Sequence, residues 1–70
     1  MNLSRFLQLL PKGTRIRVKV AACNRTFSGE TGPRKTDALL YDIYRHAKPE
    51  PVIYAIYPLY HAQELYIECW

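Results

Sequence analysis

Cysteine and histidine are both scarce in this chain of 70 residues, with two of each. Cys23 and Cys69 have neither CxxC spacing nor the framework of four or six that marks a disulfide scaffold, and a thiol in an alternating apolar strand is most often a small core residue. A reducing, cytoplasmic setting follows. His46 and His61 lack the carboxylate or thiolate cluster needed to complete three or four metal ligands, so no metal site is expected. No Ser or Cys can be placed beside either His as an activated nucleophile, so no catalytic residue is assigned and the chain reads as a binding protein, not an enzyme. The chain also lacks internal repeats, low-complexity tracts and a helix-turn-helix pattern, which ranks direct DNA binding low. Its most apolar terminal stretch, Leu3 to Leu10, is too short for a signal peptide or a membrane span, and the chain is expected to be soluble and unprocessed.

What is present is a small globular composition with a basic excess. Hydrophobic residues make up 49%, and six Tyr, two Phe and one Trp supply more rigid contact area than the length requires. One domain, 1–70, is the most that this length supports, and such a domain buries only about 60% of the surface its unfolded chain exposes. A thin core of this kind favours a homo-oligomer. The net charge of +4 favours acidic partners. It is equally the charge of an ordinary soluble protein.

The clearest pattern is Thr14 to Val20, where Arg15, Arg17 and Lys19 alternate with Ile16, Val18 and Val20. A strand sends alternate side chains to opposite faces, so this run supplies three core aliphatics and a cationic stripe. Before it, Asn2 to Leu10 has Leu3, Phe6, Leu7 and Leu10 on one helical face, with Asn2 or Ser4 as cap, and Pro11 to Gly13 as breaker. After it, Asn24 marks a hairpin, because Asn tolerates positive φ, and Thr26 to Ser28 return before Gly29 ends the second strand. Gly29 to Lys35 reads as a surface loop without an apolar anchor. Thr36 or Asp37 then caps a second helix with Leu39, Leu40, Ile43 and Ala47 on its apolar face. Tyr41, Tyr44, Arg45 and Lys48 flank that face, and Pro49 and Pro51 end the helix. Val52 to Tyr57 and Leu65 to Trp70 are strands, joined by Pro58 to Gln63. In the last strand Leu65, Ile67 and Cys69 face one way, and Glu64, Tyr66, Glu68 and Trp70 the other.

The fold class expected is therefore α+β: an antiparallel sheet of about four strands in two hairpins, with two helices on one face, in the order α-β-β-α-β-β. The loop GETGPRKT fails as a P-loop, because Pro33 and Arg34 follow Gly32 where the motif needs Lys and Ser or Thr. A weaker anion site remains conceivable where Arg34 and Lys35 precede a helix N-terminus. The stripe Arg15, Arg17, Lys19 has two readings: it tracks phosphates, or Glu64 and Glu68 on a neighbouring strand neutralise part of it. The tyrosines divide between core completion and the flat, polar-tipped surfaces that stack on bases or anchor protein contacts.

Leu7, Leu9, Leu10, Pro11, Gly13 and Thr14, the strand after them, Phe27 and Gly29, then Val52, Ile53, Ile56, Tyr57 and the closing Leu65, Ile67 and Glu68 resemble small accessory proteins of phages and prophages of Gram-positive bacteria. Such a resemblance implies counter-defence by binding: sequestration of nucleotide signals, or inhibition of host complexes such as CRISPR effectors. It transfers no catalytic residue and no cofactor. The expectation from sequence is a cytoplasmic, non-catalytic protein of the infected host cell that sequesters an anionic, nucleotide-type ligand. Arg34, Lys35 and Arg45 would meet phosphates, and Tyr41, Tyr44 or Tyr60 would stack on a base. The alternative is an inhibitor that docks on a host defence protein. No membrane partner is expected.

Overall fold

The fold is taken from a computed structural model, which describes residues 2–47 and 50–70. Helix α1 spans Leu3–Gln8 and begins because Asn2, in extended conformation, accepts the Arg5 backbone N–H on its side-chain oxygen at 2.9 Å. Leu3 and Leu7 of this helix are buried, and Phe6 and Leu10 pack against them.

Strands β1 (Arg15–Val20) and β2 (Arg25–Glu30) form the first hairpin, with Arg15 opposite Glu30 and Val20 opposite Arg25. Asn24 closes it at φ 53°, a left-handed conformation that Asn tolerates. Helix α2 spans Lys35–Tyr44 and buries Leu39, Leu40 and Ile43, with Ala47 following on the same side. It starts earlier than a Thr36 or Asp37 cap would place it. Thr36 is nearly buried, and its hydroxyl accepts the Gly32 N–H at 2.9 Å while its own N–H returns to the Gly32 carbonyl. Lys48 and Pro49, expected to flank and end this helix, lie outside the described residues.

Strand β3 covers Ile53–Leu59, a 3-10 turn covers Tyr60–Ala62, and strand β4 covers Glu64–Cys69. β3 runs through Pro58, which an edge strand tolerates because it can leave the missing N–H on the solvent side.

The sheet order is β2-β1-β4-β3, and β1 lies parallel to β4. This corrects the expectation of an antiparallel sheet: both hairpins are antiparallel, but the join between them is not, and a 3-10 turn is added to the expected order of elements. The cause is visible in burial. Ile16, Val18 and Val20 of β1 and Ile67 and Cys69 of β4 are almost fully buried, so these two strands take the centre, and the α2 crossover returns the chain with both pointing the same way.

All of these side chains, with Leu3, Leu7, Leu39, Leu40 and Ile43, form one cluster between the helices and a single face of the sheet. Burial pushes the Cys69 thiol up to about 11, as a core thiol should be. Gly29 to Lys35 is more structured than a surface loop: Gly29 and Glu30 belong to β2, and Thr31 is buried. Its anchor is polar, since the Thr31 hydroxyl donates to the Pro11 carbonyl at 2.6 Å and accepts the Thr14 N–H at 3.0 Å. Among the described residues, no helix is long and apolar enough to cross a membrane.

Candidate functional site on the open sheet face

Both helices pack on one face of the sheet, which leaves the other face without a covering layer. The strand register builds a row across that open face. Ser28 on β2 lies opposite Arg17 on β1, Arg17 opposite Tyr66 on β4, and Tyr66 opposite Tyr57 on β3. Neighbouring strands are about 4.8 Å apart, so the row spans roughly 14 Å. The Tyr57 and Tyr66 rings stack at 6.0 Å between centroids and 28° between planes. Arg17, Thr26, Ser28, Tyr66 and Leu59 line a depression of about 480 Å³ over this row. Further along the same face, Tyr54 packs on Trp70 at 4.5 Å and donates its hydroxyl to Glu68 at 3.2 Å.

The cationic stripe is partly answered from within. Arg17 Nε meets a Glu64 carboxylate oxygen at 3.4 Å, on a guanidinium side chain that stays half exposed. Arg15 donates to the Ala62 carbonyl at 3.5 Å. Lys19 lies opposite Glu68 in the register but forms no ion pair with it. Among the described residues, Arg17 is the one member of the stripe held in an ion pair. The expected neutralisation by β4 is real but incomplete.

Comparison with family models, with curated proteins and with solved structures finds no match for this chain. The site therefore rests on its own geometry.

The residues expected from sequence to bind a ligand, Arg34, Lys35, Tyr41, Tyr44, Arg45 and Tyr60, are distributed over three places. Arg34 occupies the turn before α2 at φ 68° and lines a shallow cavity with Lys12, Leu10 and Asp37. Lys35 is engaged by Glu30 at 2.8 Å, which holds the Glu30 carboxyl below its usual range. Tyr41 on α2 and Arg45, the residue that caps its C-terminus, form an exposed pair, with the guanidinium 5.8 Å from the ring centroid.

Tyr44 is half-buried and donates to Glu50 at 2.7 Å, so it acts as a strut between α2 and the segment that leads to β3. Burial raises its phenol, and the Tyr44 and Ser4 hydroxyls together hold the Glu50 carboxyl below its usual range. Tyr60, highly exposed, lines an apolar hollow of about 250 Å³ with Pro58, Leu59 and Leu65. None of these cavities holds more than one of the six.

Ser28 and Thr26 are not among the site residues expected from sequence, and Tyr57 and Tyr66 enter there only as aromatic area near the second hairpin. Their signal was the alternation of the strands, but it becomes a row only once the strand order is known.

His46 is also accounted for structurally: its Nδ1–H donates to the Asp42 carbonyl at 3.0 Å and its ring lies 5.8 Å from Phe27. No group of three or more His, Cys, Asp and Glu side chains is gathered among the described residues.

Proposed function

We propose that this chain binds an anionic, base-bearing ligand of the nucleotide type on its open sheet face, by stoichiometric capture without turnover. The observation that carries the reading is the in-register row Ser28, Arg17, Tyr66, Tyr57, whose first three members line the depression with Thr26 and Leu59. Each member contributes a distinct interaction. The half-exposed Arg17 guanidinium, held by Glu64 through Nε, keeps its terminal N–H groups for a phosphate, Ser28 and Thr26 offer hydroxyls, and the Tyr66 ring, stacked on Tyr57, offers a flat apolar face to a base. The volume lies in the range of small-ligand sites. A counter-defence role in the cytoplasm of an infected bacterium is the setting that the resemblance to phage accessory proteins suggests, with a nucleotide immune signal as the captured molecule. Calorimetric titration with cyclic dinucleotides and ADP-ribose derivatives tests it. Binding that Arg17→Ala weakens is the expected result, and silence across the panel overturns the reading.

The alternative, docking on a host defence protein, draws on a different feature: Val52, Tyr54, Ile56, Tyr57 and Trp70 are exposed apolar residues concentrated along β3 and beside it. Recovery of a stable partner from host lysate, together with silence in the nucleotide panel, favours that reading.

A further inference from the structure

β3 is an outer strand of the sheet, and beyond the Asn2–Val52 bridge at its start its outer edge pairs with no strand among the described residues. Its sequence, Ile53 to Leu59, carries no charge, although charge is the commonest means of keeping an edge strand from pairing. Ile56 illustrates the exposure. It lies on the helix-bearing face opposite the fully buried Ile67, yet it is 41% exposed because no helix reaches over it.

Three edge-blunting devices are present: an antiparallel bridge from Asn2 to Val52 just before the strand, a register irregularity between Ile53 and Ala55, and the proline at 58. The last two confine regular pairing to the few residues between them. Pro58 has no N–H to give β4, so its ladder position is one whose N–H side faces solvent, and alternation turns the Ile56 N–H and carbonyl outward as well.

We infer that β3 is a self-association edge, and that its occupant is β3 of a second copy of this chain, paired antiparallel about a twofold axis at Ile56. This inference is independent of the ligand reading. Centring on Ile56 gives the two Ile56 residues a reciprocal pair of N–H to carbonyl hydrogen bonds. On the open face it sets Tyr57 against the partner's Ala55, a large side chain opposite a small one, twice by symmetry. Self-pairing meets no like-charge repulsion, because the strand has no charge to repel.

Val52, Tyr54, Ile56, Tyr57 and Trp70 expose on the order of 500 Å² together if a full aromatic side chain offers about 200 Å², before any backbone is counted. A standard interface buries about 800 Å² per partner, so full burial of the patch would supply most of one. The other edge, β2, is packed against α2 and carries Arg25 and Glu30. Assembly therefore closes at two copies and gives an eight-stranded sheet with both open faces on the same side.

Sedimentation equilibrium of the full chain without ligand, over roughly 1–300 µM, tests this. The wild type is expected to pass from monomer to twice the monomer mass and no further. Ile56→Lys, which sets two cations against each other at the axis, is expected to weaken the dimer by about a hundredfold or more. Thr26→Lys on β2 is expected to dimerise like wild type. Hydrogen exchange of the unmodified chain supplies a reading that needs no folded variant: the Ile56 amide becomes more protected as concentration rises. A wild type that stays monomeric throughout overturns the inference and leaves the edge for a foreign strand. So does a dimer that survives in folded Ile56→Lys, an assembly larger than two, or an Ile56 amide whose protection ignores concentration. Because no ligand is present, failure here is separate from failure of the nucleotide reading.

Discussion

The two edges of this sheet face the same physical problem and meet it differently. β2 has polar and charged residues at Arg25, Thr26, Ser28 and Glu30, and it packs against α2, with the Leu39 side chain seated over Gly29. β3 is uncharged, has no helix over Ile56, and shows aromatic rings on its open-face side. An edge sealed by packing is part of the fold, whereas an edge left apolar and uncovered can act on something outside it. The row from Ser28 to Tyr57 runs from one edge to the other, with hydroxyls at the sealed end and stacked rings at the open one.

Removing the seal on β2 gives the largest expected effect on stability. Leu39→Ala deletes buried contacts over Gly29 and should cost about 2–5 kcal/mol in urea unfolding, a large part of the stability of so small a domain. A loss under about 1 kcal/mol would break the contrast between the edges, since it would mean that α2 contributes little cover.

Binding comes next. Arg17→Ala removes charged donors and should weaken nucleotide affinity by about ten- to a hundredfold, and Tyr57→Ala by about five- to a hundredfold if the ring carries a stacked base. A Tyr57 substitution without effect would confine the ligand to the β2 side of the row.

Ile56→Ala is the counterpart of the Leu39 test on the exposed edge. In monomer at low concentration it should cost less than about 1 kcal/mol, because this side chain is far from fully buried.

The smallest effect concerns the strut near the α2–β3 connection. The Glu50 carboxyl is held below its usual range, first by the Tyr44 hydroxyl and then by Ser4, so its charged form is favoured in the fold. Its contribution is complete above the unfolded carboxyl pKa of about 4.3 and is lost as pH falls through the lower folded value. Glu50→Gln should therefore lower the melting temperature slightly at pH 7 and above, with the two profiles converging as pH falls through the carboxyl range. An unchanged acid profile would show that the strut carries no pH dependence.

Much of the fold was legible in the residues because alternation and helical spacing report directly on burial. Ile16, Val18 and Val20, then Ile67 and Cys69, were assigned to the core and are buried there, as are Leu3, Leu7, Leu39, Leu40 and Ile43. Asn24 sits in the left-handed conformation that its place in the hairpin required. The loop before α2 was harder to read, because Thr31 is anchored by hydrogen bonds to Pro11 and Thr14 rather than by apolar contact, and the pattern of apolar residues carries no sign of such an anchor. The ligand residues assigned from sequence clustered around α2 because Arg, Lys and Tyr are dense there, but density along a helix does not bring side chains to one cavity. Lys35 is held by Glu30 and Tyr44 by Glu50, while Tyr41 and Arg45 face each other on an exposed helix surface.

The sequence by itself determined which side of each element would be buried and where the chain would turn, because those follow from local periodicity and from the backbone freedom of single residues. Tertiary structure alone decided the rest. The parallel join of β1 to β4 aligned Arg17 with Tyr66, put Ser28 and Tyr57 at the ends of the same row, and left β3 outermost with Ile56 uncovered. Local patterning sets the faces of a strand, but its neighbours are chosen by how the two hairpins and both helices share one small core.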